Sequence, residues 1–92
     1  MKVEFRKSFE KDIRKLPEQK IKNQLKDLIF NIQSASGPGE IHNIKKLKGT
    51  SGFYRIRMGD YRIGIEIIKD KLIFFRILHR KDLYKYFPPS NR

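Results

Sequence analysis

The chain has 92 residues, of which 38% are apolar and 35% are charged. This length leaves room for one domain with a modest core, so we predict a single domain over 1–92 rather than a disordered chain. Lysine and arginine total 22 against 10 acidic residues, which gives a net charge of +12. Such an excess usually has an anionic partner: nucleic acid, an acidic protein or a membrane surface.

Several kinds of site are excluded by what the sequence lacks. It has no cysteine, which excludes disulfides and thiolate metal sites, and His42 and His79 lack metal-ligand spacing. We therefore expect no metal and no cofactor. The N-terminus is charged and lacks the apolar centre of a signal peptide, and no run approaches the ~20 apolar residues of a membrane span. These features predict a cytoplasmic protein without a membrane partner.

The N-terminal third predicts a strand followed by two helices. Residues 2–6 alternate charged and apolar side chains, as a short strand does. Ser8 can cap the next helix, Pro17 ends it, and a second apolar stripe predicts another helix from Glu18 to about Ser34. The two stripes consist of Phe9, Ile13 and Leu16, and of Ile21, Leu25, Leu28 and Ile32. Together they predict an amphipathic helical hairpin packed on one face of a sheet.

The rest of the chain predicts mainly strands. A loop over 34–39 leads to the basic stretch 43–49, which is compatible with an extended segment or a short helical turn. Three strands are then predicted over Phe53–Met58, Tyr61–Ile68 and Lys71–Leu78. The tail over 80–87 reads as one helical turn, stopped by the prolines at 88–89. We predict an α+β fold, with an antiparallel four-stranded sheet and an N-terminal helical hairpin on one face.

The loop Gly59-Asp60 sets the register of the first hairpin, because glycine can take the positive φ that a two-residue loop needs. Apolar residues then pair on the face that meets the helices. The opposite face pairs Arg57 with Arg62 and Arg55 with Gly64. This opposite face, which carries Arg55, Arg57 and Arg62, is called the arginine face.

The turn at 69–70 leaves two registers for the last strand. A three-residue loop would bury one alternate set of side chains and place Arg76 and Arg80 on the arginine face, and a two-residue loop would reverse this. The buried set would be Ile73, Phe75 and Ile77. We expect the three-residue loop because that set is the more aliphatic, although Leu72 and Phe74 would then stay partly exposed.

Arginines packed side by side destabilise a sheet unless an anion lies among them. Their planar donor groups suit phosphate and stay charged at any biological pH. Gly64, at the centre of the arginine face, would let a phosphate approach closely. The candidate phosphate-binding set is Arg55, Arg57, Arg62, Arg76 and Arg80. The alternative is a solvated basic surface with Glu66 as a partial partner.

Two more side chains lie where the last strand ends. His79 has the side chain best suited to proton transfer near neutral pH, and Tyr84 can stack on a base or orient a hydroxyl. The expected register points His79 toward the core, the reversed one puts it on the arginine face, and a bend could change either. Taken alone, both residues are more often structural, and only the adjacent arginine face makes them catalytic candidates.

The order strand, two helices, hairpin and strand resembles the RelE/ParE superfamily of toxins from type II toxin–antitoxin systems. The stretches that carry the resemblance are KKLKG at 45–49, YRIRMGDYRI at 54–63 and ILHRKDLY at 77–84, together with the pattern Phe9…Asp12…Leu16. They span nearly the whole chain. The resemblance implies the microbial-RNase-like fold of this superfamily.

RelE-like members cut mRNA in the ribosomal A site, so the resemblance implies a metal-independent endoribonuclease that inhibits translation. It implies attack of a 2′-hydroxyl on the adjacent phosphorus, and a cognate antitoxin that is acidic and partly disordered. By position, Arg55 and Arg57 match the family's basic pair, Arg62 its phosphate clamp, Arg80 its late arginine and Tyr84 its tail tyrosine. Relatives often carry lysines at the basic pair, which leaves the general base open. His79 is our candidate acid or base.

Two other functions stay open. The superfamily also contains ParE-like poisons that bind gyrase without catalysis, and an inactive nucleic-acid-binding homologue is a third alternative. The arginine face with His79 and Tyr84 favours the RNase, since a gyrase binder has no evident need for them. The expected partners are mRNA, the ribosome and the antitoxin. We expect the free protein to cut naked RNA weakly, because it has no obvious surface for reading bases.

Overall fold

The computed structural model describes residues 1–89, so the last three residues of the predicted 1–92 domain lie outside the described residues. The elements in chain order are β1 (Lys2–Phe5), α1 (Lys7–Arg14), α2 (Gln19–Ser34), a 3-10 turn (Pro38–Glu40), β2 (Ile44–Lys46), β3 (Phe53–Met58), β4 (Tyr61–Ile68), β5 (Lys71–His79) and α3 (Leu83–Tyr86). The predicted α+β class is confirmed, as is the placement of the helical hairpin on one face of the sheet.

The sheet differs from the expected four antiparallel strands. Within residues 1–89 it has five strands, in the order β1-β5-β4-β3-β2. The additional strand, β2, comes from the basic stretch whose conformation the sequence left open. β1 runs parallel to β5, while the other pairs are antiparallel. A parallel neighbour needs a long connection, and residues 6–70 lie between β1 and β5.

The β3–β4 hairpin has the predicted register. Gly59 takes a φ of 59°, in the left-handed region that the two-residue loop requires. Arg57 pairs with Arg62, and Arg55 pairs with Gly64. The apolar pairs of this hairpin lie on the side of the helices, which leaves its arginines on the other side.

The turn between β4 and β5 corrects the expected three-residue loop. Ile68 pairs with Lys71, so the loop has two residues. A bulge then shifts the register, because Ile65 pairs with Phe74 but Gly64 pairs with Arg76. Between the turn and the bulge, the inward and outward side chains of β5 are therefore those given by a two-residue loop. Beyond the bulge, they are those of the expected register.

The bulge changes which side chains of β5 are buried under the helices. Leu72 and Phe74, expected to be partly exposed, are fully buried in the main core. Ile77 is buried there as expected. Ile73 pairs with Glu66, in a row on the opposite face, so its expected place in the main core is wrong. Phe75, the inserted residue, also packs on that opposite face.

Two hydrophobic clusters lie on the two faces of the sheet. The main core joins both helices to the sheet and consists of Phe9, Leu16, Leu25, Ile32, Ile56, Ile63, Ile65, Leu72, Phe74 and Ile77. The smaller tail cluster lies on the arginine face and consists of Phe53, Leu83 and Phe87, with Leu47, Phe75 and Leu78 packed against it. The tail cluster therefore fastens α3 to the sheet.

Helix α1 lies along the part of β5 that β1 does not cover. It begins at Lys7, with Arg6 as the N-cap residue, so the expected Ser8 cap is wrong. The Ser8 hydroxyl instead donates a hydrogen bond to the Phe75 carbonyl, at 2.7 Å. Among residues 1–89, no helix has the length and apolar character needed to cross a membrane.

Candidate functional site

The β3–β4 hairpin brings three arginines to one exposed surface. Arg57 and Arg62 face each other across the strand pair, and Arg55 follows on the same side of β3. Arg62 Nη1 donates to the carbonyls of Gly59 at 2.9 Å and Tyr61 at 3.0 Å, which holds its side chain along the loop. The hairpin loop therefore fixes both the register of the arginines and the direction of the Arg62 side chain.

Arg80 joins this group from the end of β5. Its backbone N–H donates to the Asp60 carbonyl at 2.8 Å, which ties the end of β5 to the β3–β4 loop. Burial lowers the pKa of the Arg62 guanidinium below its usual value, and three neighbouring positive charges lower it further. In order of effect, the neighbours are Arg55, Arg57 and Arg80. The four side chains thus share one electrostatic field, and we call them the arginine cluster.

Tyr84 lies at the border of the arginine cluster. It belongs to the single turn of α3 and is 58% exposed, whereas its neighbour Leu83 is fully buried in the tail cluster. Tyr84 raises the pKa of the Arg62 guanidinium, in the direction opposite to the effect of the three arginines. A phenol beside four guanidinium groups gives the site one side chain that can both donate and accept a hydrogen bond.

The centre of the arginine face is occupied, which corrects the expected role of Gly64. A Cβ added at Gly64 would lie 2.6 Å from two ring carbons of Phe87 and 2.8 Å from a third. The space above this glycine therefore holds the Phe87 ring, and not room for a phosphate. An anion would have to approach the arginine cluster beside the tail and not above Gly64.

Arg76 is also removed from the candidate set, although its pairing with Gly64 places it on the arginine face as expected. Its Nε donates to Asp12 Oδ2 at 2.7 Å and its Nη2 donates to Oδ1 at 3.0 Å. The Ile77 N–H donates to the same carboxylate at 3.0 Å. Asp12 is only 5% exposed, and a buried carboxylate needs such partners. The bidentate ion pair turns the half-buried Arg76 side chain toward α1 and occupies its guanidinium.

His79 lies on the other face of the sheet. It pairs with Tyr61, and the two ring centroids are 5.9 Å apart in an edge-on arrangement. Its Nδ1 accepts a hydrogen bond from the Lys81 N–H at 3.3 Å, which shapes the turn before α3. The structure therefore does not bring His79 into the arginine cluster, in line with the direction that the expected register gave it.

The contacts of two structural residues of the site, Asp12 and Phe87, were not predicted from the sequence. Asp12 had a detectable signal, since a carboxylate three residues after Phe9 falls on the apolar face of α1 and requires a cationic partner. Phe87 had none beyond its apolar character, because its contact with Gly64 joins distant parts of the chain. Within residues 1–89, no three histidine, aspartate or glutamate side chains are grouped so as to hold a metal ion.

Comparison with known proteins places this geometry in a family. The family model described as "ParE toxin of type II toxin-antitoxin system, parDE" matches residues 3–84. Toxin RelE3 of Methanocaldococcus jannaschii is 46% identical over 89 residues, which cover 96% of this chain and 100% of the relative. Putative toxin RelE1 of the same organism is 33% identical over 87% of this chain and 89% of the relative.

A solved structure agrees with the sequence relatives. The RelB–RelE antitoxin–toxin complex from Methanococcus jannaschii contains a chain that matches with a TM-score of 0.79 and 44% identity. The match covers 94% of this chain and 100% of that one. Because the family model and both relatives extend over most of the sequence, the chain belongs to the RelE/ParE superfamily of toxins from type II toxin–antitoxin systems.

Proposed function

We propose that the protein is the toxin of a type II toxin–antitoxin system and cleaves mRNA in the ribosomal A site. The observation that carries this proposal is the arginine cluster around Arg62, with Tyr84 at its border. Arg62, whose pKa is lowered by burial and by the charges of Arg55, Arg57 and Arg80, and these three neighbours gain stabilisation when a polyanion enters among them. RNA supplies such an anion, and the phosphorane formed during cleavage carries more negative charge than the starting phosphodiester.

The proposed chemistry is transesterification within the RNA. The 2′-oxygen loses its proton and bonds to the adjacent phosphorus, the bond from phosphorus to the 5′-oxygen breaks, and that oxygen takes up a proton. The products are a 2′,3′-cyclic phosphate and a 5′-hydroxyl. Arg62 and Arg80 would stabilise the phosphorane, while Arg55 and Arg57 would hold the strand. None of these steps requires a metal ion.

Tyr84 is our candidate for orienting the nucleotide and for moving the proton. Its phenol both donates and accepts, it is largely exposed, and it raises the pKa of Arg62. His79 is the weaker candidate, because it packs against Tyr61 on the other face of the sheet. We therefore assign His79 the local role of shaping the turn that leads to Tyr84, through its bond with the Lys81 N–H.

We expect cleavage to depend on the ribosome, because the arginine face offers few side chains that could bind RNA bases. Tyr84 and Tyr86 are the large exposed aromatic side chains of α3, and a single turn offers little area for stacking bases. The ribosome would hold the mRNA in a strained, accessible conformation and supply orientation that the toxin lacks. This proposal places the protein in the cytoplasm, where it meets translating ribosomes.

We also propose a cognate antitoxin that covers the arginine cluster. Support comes from the RelB partner of the similar Methanococcus jannaschii toxin and from the net charge of +12. An acidic, partly disordered chain would be steered to this surface and would order on binding. Its carboxylates would compete with RNA phosphates for the same guanidinium groups.

The test is primer extension on translated mRNA, with and without ribosomes, for the wild type and Arg62→Ala. We expect 5′-hydroxyl ends only with ribosomes, and a loss of about 100- to 1,000-fold in cleavage for the variant, as when a transition-state hydrogen-bond donor is removed. Arg14→Ala, an exposed arginine of α1, is the matched control and should cleave as the wild type does.

Two measurements beside primer extension, the stability of Arg62→Ala and the integrity of chromosomal DNA, separate the alternatives. The lowered pKa of Arg62 means that its charged form is disfavoured in the folded protein, so the free energy of unfolding of Arg62→Ala near neutral pH should not fall. Intact message together with broken chromosomal DNA would identify a gyrase poison. Intact message and intact DNA would identify an inactive homologue, and rapid cleavage of free RNA would disprove ribosome dependence.

A further inference from the structure

The Phe87 ring rests directly on the backbone of Gly64. Three of its ring carbons lie 2.6–2.8 Å from the point where a Cβ would be, so the contact exists only because position 64 has no side chain. Gly64 pairs with Arg55 on one side and Arg76 on the other. The ring thus fills the one gap in the row of arginines across the middle of the sheet.

Aromatic contacts hold the ring in this gap. Phe87 is 2% exposed, and its ring meets Phe53 edge-on, with centroids 5.5 Å apart. The Phe75 ring, which the bulge brings to this face, lies 5.8 Å away. The Phe87 N–H also donates to the Leu83 carbonyl at 2.9 Å, so the position of Phe87 is linked to the start of α3.

A second anchor lies one residue earlier. The Arg76 guanidinium lies over the Tyr86 ring, 5.1 Å from its centroid, and Asp12 fixes that guanidinium through the bidentate ion pair. Two consecutive residues, Tyr86 and Phe87, therefore fasten the end of α3. A helix of one turn has no stability of its own, so its position depends on these contacts.

We propose that Phe87, seated on Gly64, is a positioning residue that holds Tyr84 beside the arginine cluster for RNA cleavage. The inference rests on the proposed function and extends it to residues that do not touch the RNA. Tyr84 is one helical turn before Phe87 and largely exposed, with few contacts of its own to hold it. The α3 turn that carries Tyr84 begins at Leu83, three residues after Arg80 of the arginine cluster.

Gly64→Ala tests this role, because the new methyl group would displace the Phe87 ring. In single-turnover cleavage on programmed ribosomes we expect the rate to fall about 100-fold, the loss typical of a misplaced reacting group, with the Kd for the ribosome unchanged. Gly39→Ala is the matched control, since its Cβ would meet open space at an ordinary φ. That variant should keep the wild-type rate.

Two double variants distinguish positioning from general damage. Gly64→Ala/Phe87→Leu should recover part of the rate, because leucine lacks the ring atoms that the methyl group would meet. Gly64→Ala/Tyr84→Ala should be no slower than Tyr84→Ala alone, because both changes remove the same contribution. A folded Gly64→Ala variant that cleaves at the wild-type rate would overturn the proposal. It would also be overturned if Gly64→Ala lowered the cleavage rate of Tyr84→Ala by the same factor by which it lowers the wild-type rate.

If Gly64→Ala does not fold, Phe87→Leu takes its place. It should lower the cleavage rate of the wild type and should not lower the cleavage rate of Tyr84→Ala any further. Hydrogen exchange at the Phe87 amide provides a measurement that does not depend on cleavage. It should be slow in the wild type and fast in Gly64→Ala, and equal rates would contradict the docking of the tail. A wild-type protein that cleaves nothing refutes the proposed function, whereas slow exchange would still support the seat of Phe87 on Gly64.

Discussion

The two faces of the sheet are packed in different ways. On the helix face, α1 and α2 bury a continuous core that reaches from Phe9 to Ile77. On the arginine face, a single helical turn covers part of the surface through the tail cluster and leaves the arginine cluster beside it accessible. The sheet therefore separates the main core on one side from the arginine cluster, our proposed RNA-binding site, on the other.

Phe74→Ala should produce the largest change in stability. The Phe74 ring is fully buried and lies 5.0 Å from the Phe9 ring and 5.2 Å from the Phe5 ring, measured between centroids. We expect a loss of about 3–5 kcal/mol in the free energy of unfolding, as for other buried phenylalanines. Urea denaturation measures it. A loss below that of Phe87→Ala would contradict the assignment of the main core to the helix face.

Asp12→Asn should produce the next largest change, because Asp12 links the two faces. It accepts from Arg76 and from the Ile77 N–H, and the asparagine keeps its shape while losing its charge. The expected cost is about 1.5–3 kcal/mol, the range for hydrogen bonds to charged groups. Urea denaturation beside Glu10→Gln, an exposed residue of the same helix, gives the comparison. Equal stability of the two variants would show that the ion pair contributes nothing.

Phe87→Ala measures how much the tail cluster on the arginine face contributes to stability. Although Phe87 is as buried as the main-core residues, α3 is short enough to detach without unfolding the sheet. We expect a loss of about 1–2 kcal/mol, within the ordinary range for point variants. The protein should stay folded, and its rate of RNA cleavage should still fall, because Tyr84 is no longer held in place. A cost equal to that of Phe74→Ala would mean that the tail folds cooperatively with the main core.

The smallest effect concerns the salt dependence of binding. Arg55→Ala should leave the free energy of unfolding unchanged and reduce the slope of log affinity against log salt for single-stranded RNA by about 0.7, the value for one phosphate contact. The binding measurement uses a short RNA over a range of salt concentrations. Arg14→Ala on α1 should keep the wild-type slope. Equal slopes for the two variants would place Arg55 outside the RNA-binding surface.

The sequence was most informative where local geometry decides. Gly59-Asp60 fixed one hairpin register, and with it the common face of Arg55, Arg57 and Arg62. It was least informative along β5, because the run Leu72–Leu78 is apolar enough to be buried in either phase. The bulge lets Phe74 pack against Phe9 on one face and Phe75 pack against Phe53 on the other, contacts between residues far apart in sequence.

The sequence predicted which arginines lie together in the candidate site, but not which side chains pack over it. Arg62 and Arg80 are near one another as expected, since the end of β5 returns to the β3–β4 loop. The withdrawal of Arg76 by Asp12 and the occupation of Gly64 by Phe87 both depend on contacts between residues far apart in sequence. Alternation along a strand cannot reveal such contacts.

The bulge at Phe75 makes the two halves of β5 independent of each other. Residues 71–74 keep the phase that the tight turn imposes, and residues 76–79 keep the opposite one, so neighbouring phenylalanines 74 and 75 can each serve a different layer. If the same strand paired regularly, without the bulge, Arg76 would lie opposite Ile63 and Ile77 opposite Arg62, so the two side chains would exchange their inner and outer positions. This exchange would place a guanidinium among aliphatic side chains and an isoleucine in water.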